Sequence, residues 1–326
     1  MEQQERIVNE ESPAIEKSSR TKRIYASLAV VALGVAILVA GLVGVAPTII
    51  GAGVMLGIFG LVLLGLSFIR FPEAADTRPM SPVESLLKIF YAPVEVFRNL
   101  RHHPRWLLPL IILSLVSSLY LTAFTQRLTA KRIVDYTIGK LEQSGFQIPP
   151  EAIERSRQNS MEQLTNPVAR AGTAAQGFVG FFLIYCLVAL IYLAVVFAMG
   201  GRINFWQSLA VVAYSAFPVQ IIRYLLSAVI LFVKDPTDIN PITGQQNLVQ
   251  DNLGVLINPA DSAILYVLLS AIGVLTFYNL WLAATGLKNA GERVSAGAAW
   301  TAVLVVYVLM LSLGVLAAAL FPGFIG

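Results

Sequence analysis

Residues 25–45 read YASLAVVALGVAILVAGLVGV, and after a gap of three residues the stretch 49–69 reads IIGAGVMLGIFGLVLLGLSFI. Neither stretch contains an acidic or a basic residue. Each is 21 residues long, and as an α-helix it would extend about 31 Å, which matches the hydrocarbon core of a bilayer. Because only a helix satisfies its own backbone hydrogen bonds in lipid, the two stretches predict an uncleaved hairpin of membrane-spanning helices.

Five further apolar stretches follow the hairpin, at residues 106–124, 177–199, 208–233, 263–284 and 298–321. The whole chain of 326 residues is 56% hydrophobic and only 13% charged, whereas a soluble domain is usually about a quarter charged. So few charges cannot cover the surface of a water-soluble protein that is this apolar. The sequence therefore predicts an all-α fold, a polytopic transmembrane helical bundle with seven spans.

The polar segments divide the predicted bundle into four parts. We expect a polar cytoplasmic tail over residues 1–23, a transmembrane hairpin over 24–70, a linker over 71–105 and a five-span membrane domain over 106–326.

The orientation follows from the positions of lysine and arginine, which accumulate on the cytoplasmic side of membrane proteins. With the N-terminus placed inside, fourteen of these residues fall on the cytoplasmic side and eight fall outside. Seven of the eight lie in the single loop 127–170. We therefore expect a cytoplasmic N-terminus and, after seven spans, a C-terminus on the outside.

The linker contains an amphipathic segment that begins with a helix-start signal. Ser81, Pro82 and Glu84 form the pattern of a capping box with proline at the first helical position. Pro93 interrupts the segment, so it forms either one helix or two short pieces. A basic cluster then precedes the third span, formed by Arg98, Arg101 and Arg105. Such a segment is typical of the membrane interface, either as a binding face for anionic lipid headgroups or as a connector that rests on them.

The hairpin contains closely spaced glycines, with Gly53 and Gly57 one GxxxG step apart and Gly60 following. Small residues allow helices to approach closely in lipid, so these three are candidates for helix packing. The alternative is that they reflect only the general frequency of glycine in membrane spans.

A search for catalytic chemistry gives few candidates. The chain has one cysteine and two histidines, and the histidines are adjacent, so in a helix they point in different directions and cannot share a metal ion. None of the seven stretches contains an acidic residue, although proton-coupled carriers usually place carboxylates at membrane depth. We therefore expect no enzymatic activity, no metal or other cofactor and no nucleic-acid partner.

One charged side chain lies within a predicted span. Gln220, Arg223 and Ser227 share one face of the fifth span, and an arginine near the bilayer centre costs about 2.5–3.5 kcal/mol on insertion scales. This polar stripe has two interpretations. It either binds a ligand or a lipid headgroup, or it forms a hydrogen-bonded latch with Ser270 or Thr276 of the next helix, since no span offers a carboxylate.

Several short motifs lie between residues 84 and 321. Residues 90–97 (FYAPVEVF) and 103–110 (HPRWLLPL) come first. Residues 214–218 (YSAFP) and 277–281 (FYNLW) follow, and then an alanine-rich last helix. Together these motifs resemble the Yip family of Ypt/Rab-interacting membrane proteins, the first two its opening and the others its later segments.

The resemblance implies a five-helix membrane core, to which the hairpin 25–69 is an addition. The Asp-Leu-Tyr-Gly-Pro element of the eukaryotic members is absent, so the chain looks like a bacterial-type member in a plasma (inner) membrane. The function implied is that of a non-enzymatic scaffold or adaptor in membrane organisation or trafficking, with unidentified protein partners. The alternative from a different class is a small-solute transporter or channel that uses the polar stripe.

Overall fold

The computed structural model describes residues 2–45, 47–71, 78–143 and 148–321, with side chains from residue 20 onwards. These residues form twelve α-helices connected by loops and short 3-10 turns. The helices are α1 (Glu2–Leu42), α2 (Ile50–Leu66), α3 (Pro82–Lys88), α4 (Pro93–His102), α5 (Leu107–Leu128), α6 (Ala130–Gln143), α7 (Pro150–Thr165), α8 (Pro167–Ala198), α9 (Phe205–Val233), α10 (Ala263–Ser270), α11 (Val274–Ala290) and α12 (Ala296–Leu320). The predicted all-α class is confirmed.

Six helical segments in the described part of the chain are 20 to 32 residues long and apolar enough to cross a membrane. They are residues Arg20–Leu42, Pro47–Leu66, Leu107–Leu128, Pro167–Ala198, Phe205–Val233 and Ala296–Leu320. Many of their large apolar side chains point outward, such as Leu119 on α5, which is 69% exposed. A surface of this kind is stable in lipid rather than in water, so the prediction of a multi-pass membrane protein is confirmed.

The sixth predicted stretch, residues 263–284, is not one continuous helix. It is divided into α10, which ends at Ser270, and α11, which begins at Val274. Gly273 between them has an extended backbone (φ −137°, ψ 152°) and forms an isolated antiparallel bridge with Asn252. A returning loop therefore takes the place of helical hydrogen bonds at this point. The prediction of one unbroken helix here is wrong, and the number seven holds only when α10 and α11 are counted as one crossing.

The chain divides into two compact units, and the first contains the hairpin. It comprises residues Met1–Phe71 together with Asn166–Leu183, the first half of α8. Within it Phe59 of α2 packs edge-to-face against Phe178 and Phe182, with ring centroids 5.6 Å and 4.9 Å away. The hairpin therefore packs with a third helix segment that the sequence did not associate with it.

The hairpin glycines lie at or near the closest approach of α1 and α2. A Cβ atom added at Gly53 or Gly60 would lie 2.5 Å or 2.6 Å from a backbone nitrogen of α1. At Gly57 an added Cβ would meet nothing within 4 Å. The tight contact at this level comes instead from Gly34 of α1, whose added Cβ would lie 2.5 Å from the nitrogen of Gly57.

The second unit comprises Pro72–Thr165 and Ile184–Gly326, and α9 lies at its centre. Every residue of α9 from Phe205 to Ser215 is buried. Gly286 of α11 packs closely here, because an added Cβ would lie 2.6 Å from Val211 of α9 and 2.9 Å from the ring of Phe97 of α4. Helices α4, α9 and α11 therefore meet in one contact region.

One end of this unit brings together the linker and the connections before α9 and after α11. The side chain of Gln207 donates to the carbonyl of Arg101 at 2.7 Å. Arg202 and Glu292 exchange backbone hydrogen bonds of 2.8 Å and 2.6 Å. All of these segments belong to the side on which the sequence places most of the lysine and arginine residues.

The opposite end brings together α6 and the long connection from α9 to α10. Arg127 and Arg132 donate to the backbone carbonyls of Lys234 and Thr237. The side chain of Asn240 donates to the hydroxyl of Tyr136 at 3.2 Å. Connections that the sequence places on the same side of the membrane thus lie at the same end of this unit.

The amphipathic linker forms two helices. The capping box is present, because Glu84 N donates to Ser81 Oγ at 3.1 Å and Ser81 N donates to Glu84 Oε2 at 3.4 Å. Helix α3 ends at Lys88 and α4 begins at Pro93, since proline is favoured in the first turn but cannot continue a helix. Val96, Phe97 and Leu100 of α4 are buried in the protein.

Candidate functional site

The polar stripe lies on α9, whose starting point is fixed by a second capping box. Asn204 accepts a hydrogen bond from Trp206 N at 2.9 Å, and Gln207 accepts one from Asn204 N at 2.7 Å. The ring of Trp206 stacks on Trp106, which directly precedes α5, with centroids 6.4 Å apart. Tryptophan is enriched at the membrane–water interface, so α9 enters the bilayer here. Arg223 lies about 15 Å from its other end, at a rise of about 1.5 Å per residue.

The three stripe residues differ in burial. Ser227 is fully buried, with 0% of its surface exposed. Gln220 and Arg223 are half-buried, and no described residue hydrogen-bonds to the Gln220 side chain. Arg223 and Ser227 both contact the connection from α9 to α10, residues 234–262, which we name the return loop.

Arg223 is paired with a carboxylate from the return loop. Its Nη2 lies 3.6 Å from Oδ1 of Asp251, and the two side chains are 24% and 13% exposed. The prediction that this arginine either binds a ligand or forms a latch with Ser270 or Thr276 did not include this partner. The apolar stretches contain no carboxylate, but a carboxylate of the return loop lies beside Arg223.

Asp251 also caps the helix that begins beyond the break. Its Oδ2 accepts a hydrogen bond from Leu275 N at 2.9 Å, and its main-chain carbonyl accepts one from Val274 N at 3.2 Å. The N-cap residue of α11, Gly273, has no side chain to offer. A carboxylate at a helix N-terminus satisfies free amides and interacts favourably with the helix dipole. Arg223 and α11 therefore stabilise the same negative charge.

Further contacts hold the return loop against α5 and α9. Leu248 N donates to Ser227 Oγ at 2.9 Å, and the hydroxyl of Tyr120 donates to the carbonyl of Gly244 at 2.6 Å. Irregular backbone at membrane depth is tolerated where protein covers it and satisfies its polar groups. The return loop thus folds back along α5 and α9 and is held there by Tyr120, Ser227 and Arg223.

The loop and the broken helix pack tightly. A Cβ atom added at Gly254 would collide with the side chain of Ser270, and one added at Gly273 would lie 3.1 Å from Cβ of Asn252. Two polar atoms nearby, Arg223 Nε and Ser270 Oγ, are buried without a hydrogen-bond partner among the residues described. The packing therefore excludes a larger side chain at Gly254 and Gly273, while these two polar atoms remain available for a hydrogen bond.

Sequence reasoning did not identify Asp251 as a site residue, although two signals were present. Asp251 lies two residues before an apolar run, residues 253–257 (LGVLI), which is too short to span a membrane. Gly273 lies near the middle of the sixth apolar stretch, and a glycine-interrupted span is one indication of a discontinuous membrane helix. Both signals are compatible with a loop that returns to a helix break, but neither is specific to it.

The second group of predicted residues lies on and after α4, and its members have different surroundings. Arg98 is exposed, and no described side chain forms an ion pair with it. Arg101 Nη2 lies 3.6 Å from Glu292 Oε1, while its Nε is buried without a partner in the described residues. Arg105 Nη1 donates to the carbonyl of Met80 at 3.1 Å.

An ion-pair network lies beside these arginines. Lys88 Nζ lies 3.1 Å from carboxylate oxygens of both Glu84 and Glu95. The hydrogen bond from Lys88 is the main cause that lowers the pKa of Glu84, with the Ser81 amide adding to it. The bonds to Glu95 and Glu84 raise the pKa of Lys88. Lys88 is therefore already paired with two carboxylates, whereas Arg98 forms no ion pair with the described residues.

Comparison with known protein families matches residues 87–318 to the Yip1 domain. No curated protein and no solved structure matches the chain significantly. The matched region contains the polar stripe, the return loop and the basic residues of α4, and it begins after the hairpin of α1 and α2. The chain is therefore a multi-pass integral membrane protein that belongs to the Yip family.

Proposed function

We propose that this protein is a non-enzymatic scaffold or adaptor that organises the membrane or recruits proteins to it. The observation that carries the proposal is the pairing of Arg223 with Asp251 of the same chain. In a solute pathway, polar groups at membrane depth face a water-filled cavity or a substrate. Here Asp251 of the same chain neutralises the charge, and the return loop contacts two of the three stripe residues, Arg223 and Ser227, which supports an internal latch, with Asp251 as the partner, over transport.

The proposed setting is the plasma membrane of a bacterium, with the N-terminus in the cytoplasm and the C-terminus outside. The excess of lysine and arginine in the segments placed inside supports this orientation. In this scheme residues 106–326 form the membrane core and residues 71–105 link it to the hairpin 24–70, which follows the cytoplasmic tail 1–23.

The proposed partners are the lipid bilayer and proteins that remain to be identified. Anionic headgroups are proposed to bind near Arg98, Arg101 and Arg105, because a basic cluster next to a membrane span attracts an anionic lipid surface. The guanidinium of Arg98, which is exposed and forms no ion pair with the residues that the structure describes, supports this proposal most directly.

The scaffold and transport hypotheses differ in whether the return loop must move. The added Cβ at Gly273 lies 3.1 Å from Cβ of Asn252, so a small outward shift of the loop brings the two atoms to the separation in a disulfide, about 3.5–4.5 Å. A variant with Asn252→Cys and Gly273→Cys, and with the native Cys186 replaced by serine, would therefore lock the loop. Crosslinking in native membranes and purification should recover the same discrete protein partner from the oxidised and the reduced form.

Two results would contradict the scaffold proposal. One is the recovery of no protein in stoichiometric amounts from either form. The other is solute uptake into proteoliposomes that the disulfide abolishes and that reduction restores, since this would show that the loop opens a pathway.

A further inference from the structure

A cavity of about 580 Å³ opens between α4 and the C-terminal end of α11. Its volume is within the range of small-molecule sites, which is about 300–1,000 Å³. Most of its polar lining carries nitrogen donors, from Arg98, Arg101, His102, Lys288 and Asn289. We name it the basic cavity.

The charges in the basic cavity are unbalanced. Arg98 and Lys288 are exposed and form no ion pair within the described part of the chain, whereas Arg101 is paired with Glu292 at 3.6 Å. The lining carboxylate, Glu95, is already paired with Lys88 at 3.1 Å. An anion that enters the cavity therefore meets uncompensated positive charge, with guanidinium groups suited to phosphate oxygens.

The basic cavity opens at the membrane surface. His102, in its lining, is the last residue of α4, and α5 begins shortly after it at Leu107. Trp106 and Trp206 stack at this level, where α5 and α9 begin, and Trp residues mark the headgroup region. The cavity thus lies where lipid phosphates lie.

The face of α11 below the cavity is suited to an acyl chain. Trp281 lies seven residues before Lys288, which places it two turns deeper on the same helix face. It is 45% exposed and stacks on Tyr278, with ring centroids 6.0 Å apart. A cationic opening above an exposed aromatic surface matches a molecule with a phosphate head and an apolar tail.

We propose that the basic cavity binds the phosphate group of an anionic lipid headgroup, with Arg98 and Lys288 as its main charged contacts. The proposal deepens the anionic-lipid part of the proposed function and depends on it. It adds Lys288 on α11, which the sequence did not associate with α4. It does not include Arg105 among the main lipid contacts, because the guanidinium of Arg105 already donates to a backbone carbonyl of the linker.

The test uses the full-length protein in a neutral detergent, titrated with dioctanoyl phosphatidylglycerol, dioctanoyl phosphatidylcholine or inorganic phosphate. We expect the first to bind at least tenfold more tightly than the other two. The double variant Arg98→Gln and Lys288→Gln should raise its Kd at least tenfold. The matched control, Lys131→Gln and Lys234→Gln, removes the same charge from two exposed lysines at the other end of the unit and should change the Kd less than twofold.

Equal weakening by the control pair, or equal binding of phosphatidylcholine, would overturn the proposed site. Inorganic phosphate that binds as tightly as the lipid would support a phosphate site and overturn its assignment to a lipid. The two proposals are tested by different measurements. The lipid site is tested by the Kd for the lipid, whereas the scaffold proposal is tested by the recovery of a protein partner with the return loop locked.

Discussion

Arg223 Nη2 lies 3.6 Å from Asp251 Oδ1, although the two residues are 28 positions apart and only Arg223 belongs to an apolar span. The pair connects α9 to the start of α11, because Asp251 also accepts the hydrogen bond from Leu275 N. The charge of Arg223, which would be costly in lipid, thus joins α9 to the return loop and to the start of α11. In this structure the return loop is joined to the bundle through Arg223, although most of its residues are exposed or half-buried.

The first prediction concerns the energy of this pair. Arg223→Leu leaves Asp251 without its counter-charge and should lower stability by about 1–3 kcal/mol, the usual cost of an unsatisfied, partly buried polar group. Asp251→Ala removes the cap of α11 as well, which adds about 0.5–2 kcal/mol. Thermal unfolding of the purified protein in detergent would measure both, and the double variant should lose less than the sum because the two side chains act together.

The control for this prediction is an exposed ion pair. Arg155 and Glu151 lie 3.9 Å apart on α7 with side chains that are 79% and 87% exposed. Such pairs contribute between about 0 and 1 kcal/mol, so Arg155→Leu should hardly alter the melting temperature. Losses that are simply additive in the Arg223 and Asp251 double variant would rule out a direct interaction.

The second prediction concerns Ser227, which lies one turn after Arg223 on α9. Its hydroxyl accepts the hydrogen bond from Leu248 N of the return loop. Ser227→Ala leaves Leu248 N without its acceptor, and we expect a loss of about 1–3 kcal/mol together with faster amide hydrogen exchange in residues 244–257. Ser118→Ala is the control, because its hydroxyl donates only to a carbonyl of its own helix. Unchanged exchange in the loop of the Ser227 variant would show that this hydrogen bond does not anchor it.

The sequence predicts those elements whose signal is local. Long runs without ionisable residues define the spans, and the Ser81–Glu84 capping box and Pro93 define the starts of α3 and α4. The return of Asp251 to Arg223 is a tertiary contact, and nothing in the polar composition of residues 234–250 distinguishes it from a surface loop. Gly273 is one indication of a discontinuous span, but glycine is also common in unbroken spans, so its bridge with Asn252 is what identifies the break.

The third prediction separates the hairpin glycines from one another. Gly53→Ala would place a Cβ atom 2.5 Å from the backbone of α1, whereas the same change at Gly57 meets nothing within 4 Å. Close helix contact is a main source of stability between membrane helices. We therefore expect Gly53→Ala to accelerate hydrogen exchange in α1 and α2, and Gly57→Ala to leave it unchanged or slower, since alanine favours a helix by about 1 kcal/mol over glycine. Equal effects at both positions would mean that the packing of the hairpin does not depend on the close approach at Gly53.

The last prediction tests the proposed orientation. Arg155 on α7 and Arg202, between α8 and α9, are both exposed and are connected through the one long helix α8. Single cysteines at these positions, in a Cys186→Ser background, should therefore react on opposite sides of the membrane. In intact bacterial cells a membrane-impermeant maleimide should label Arg155→Cys, whereas Arg202→Cys should require permeabilised cells. The reverse labelling pattern would place the N-terminus outside, and the seven lysine and arginine residues of the loop 127–170 would then count toward the cytoplasmic side.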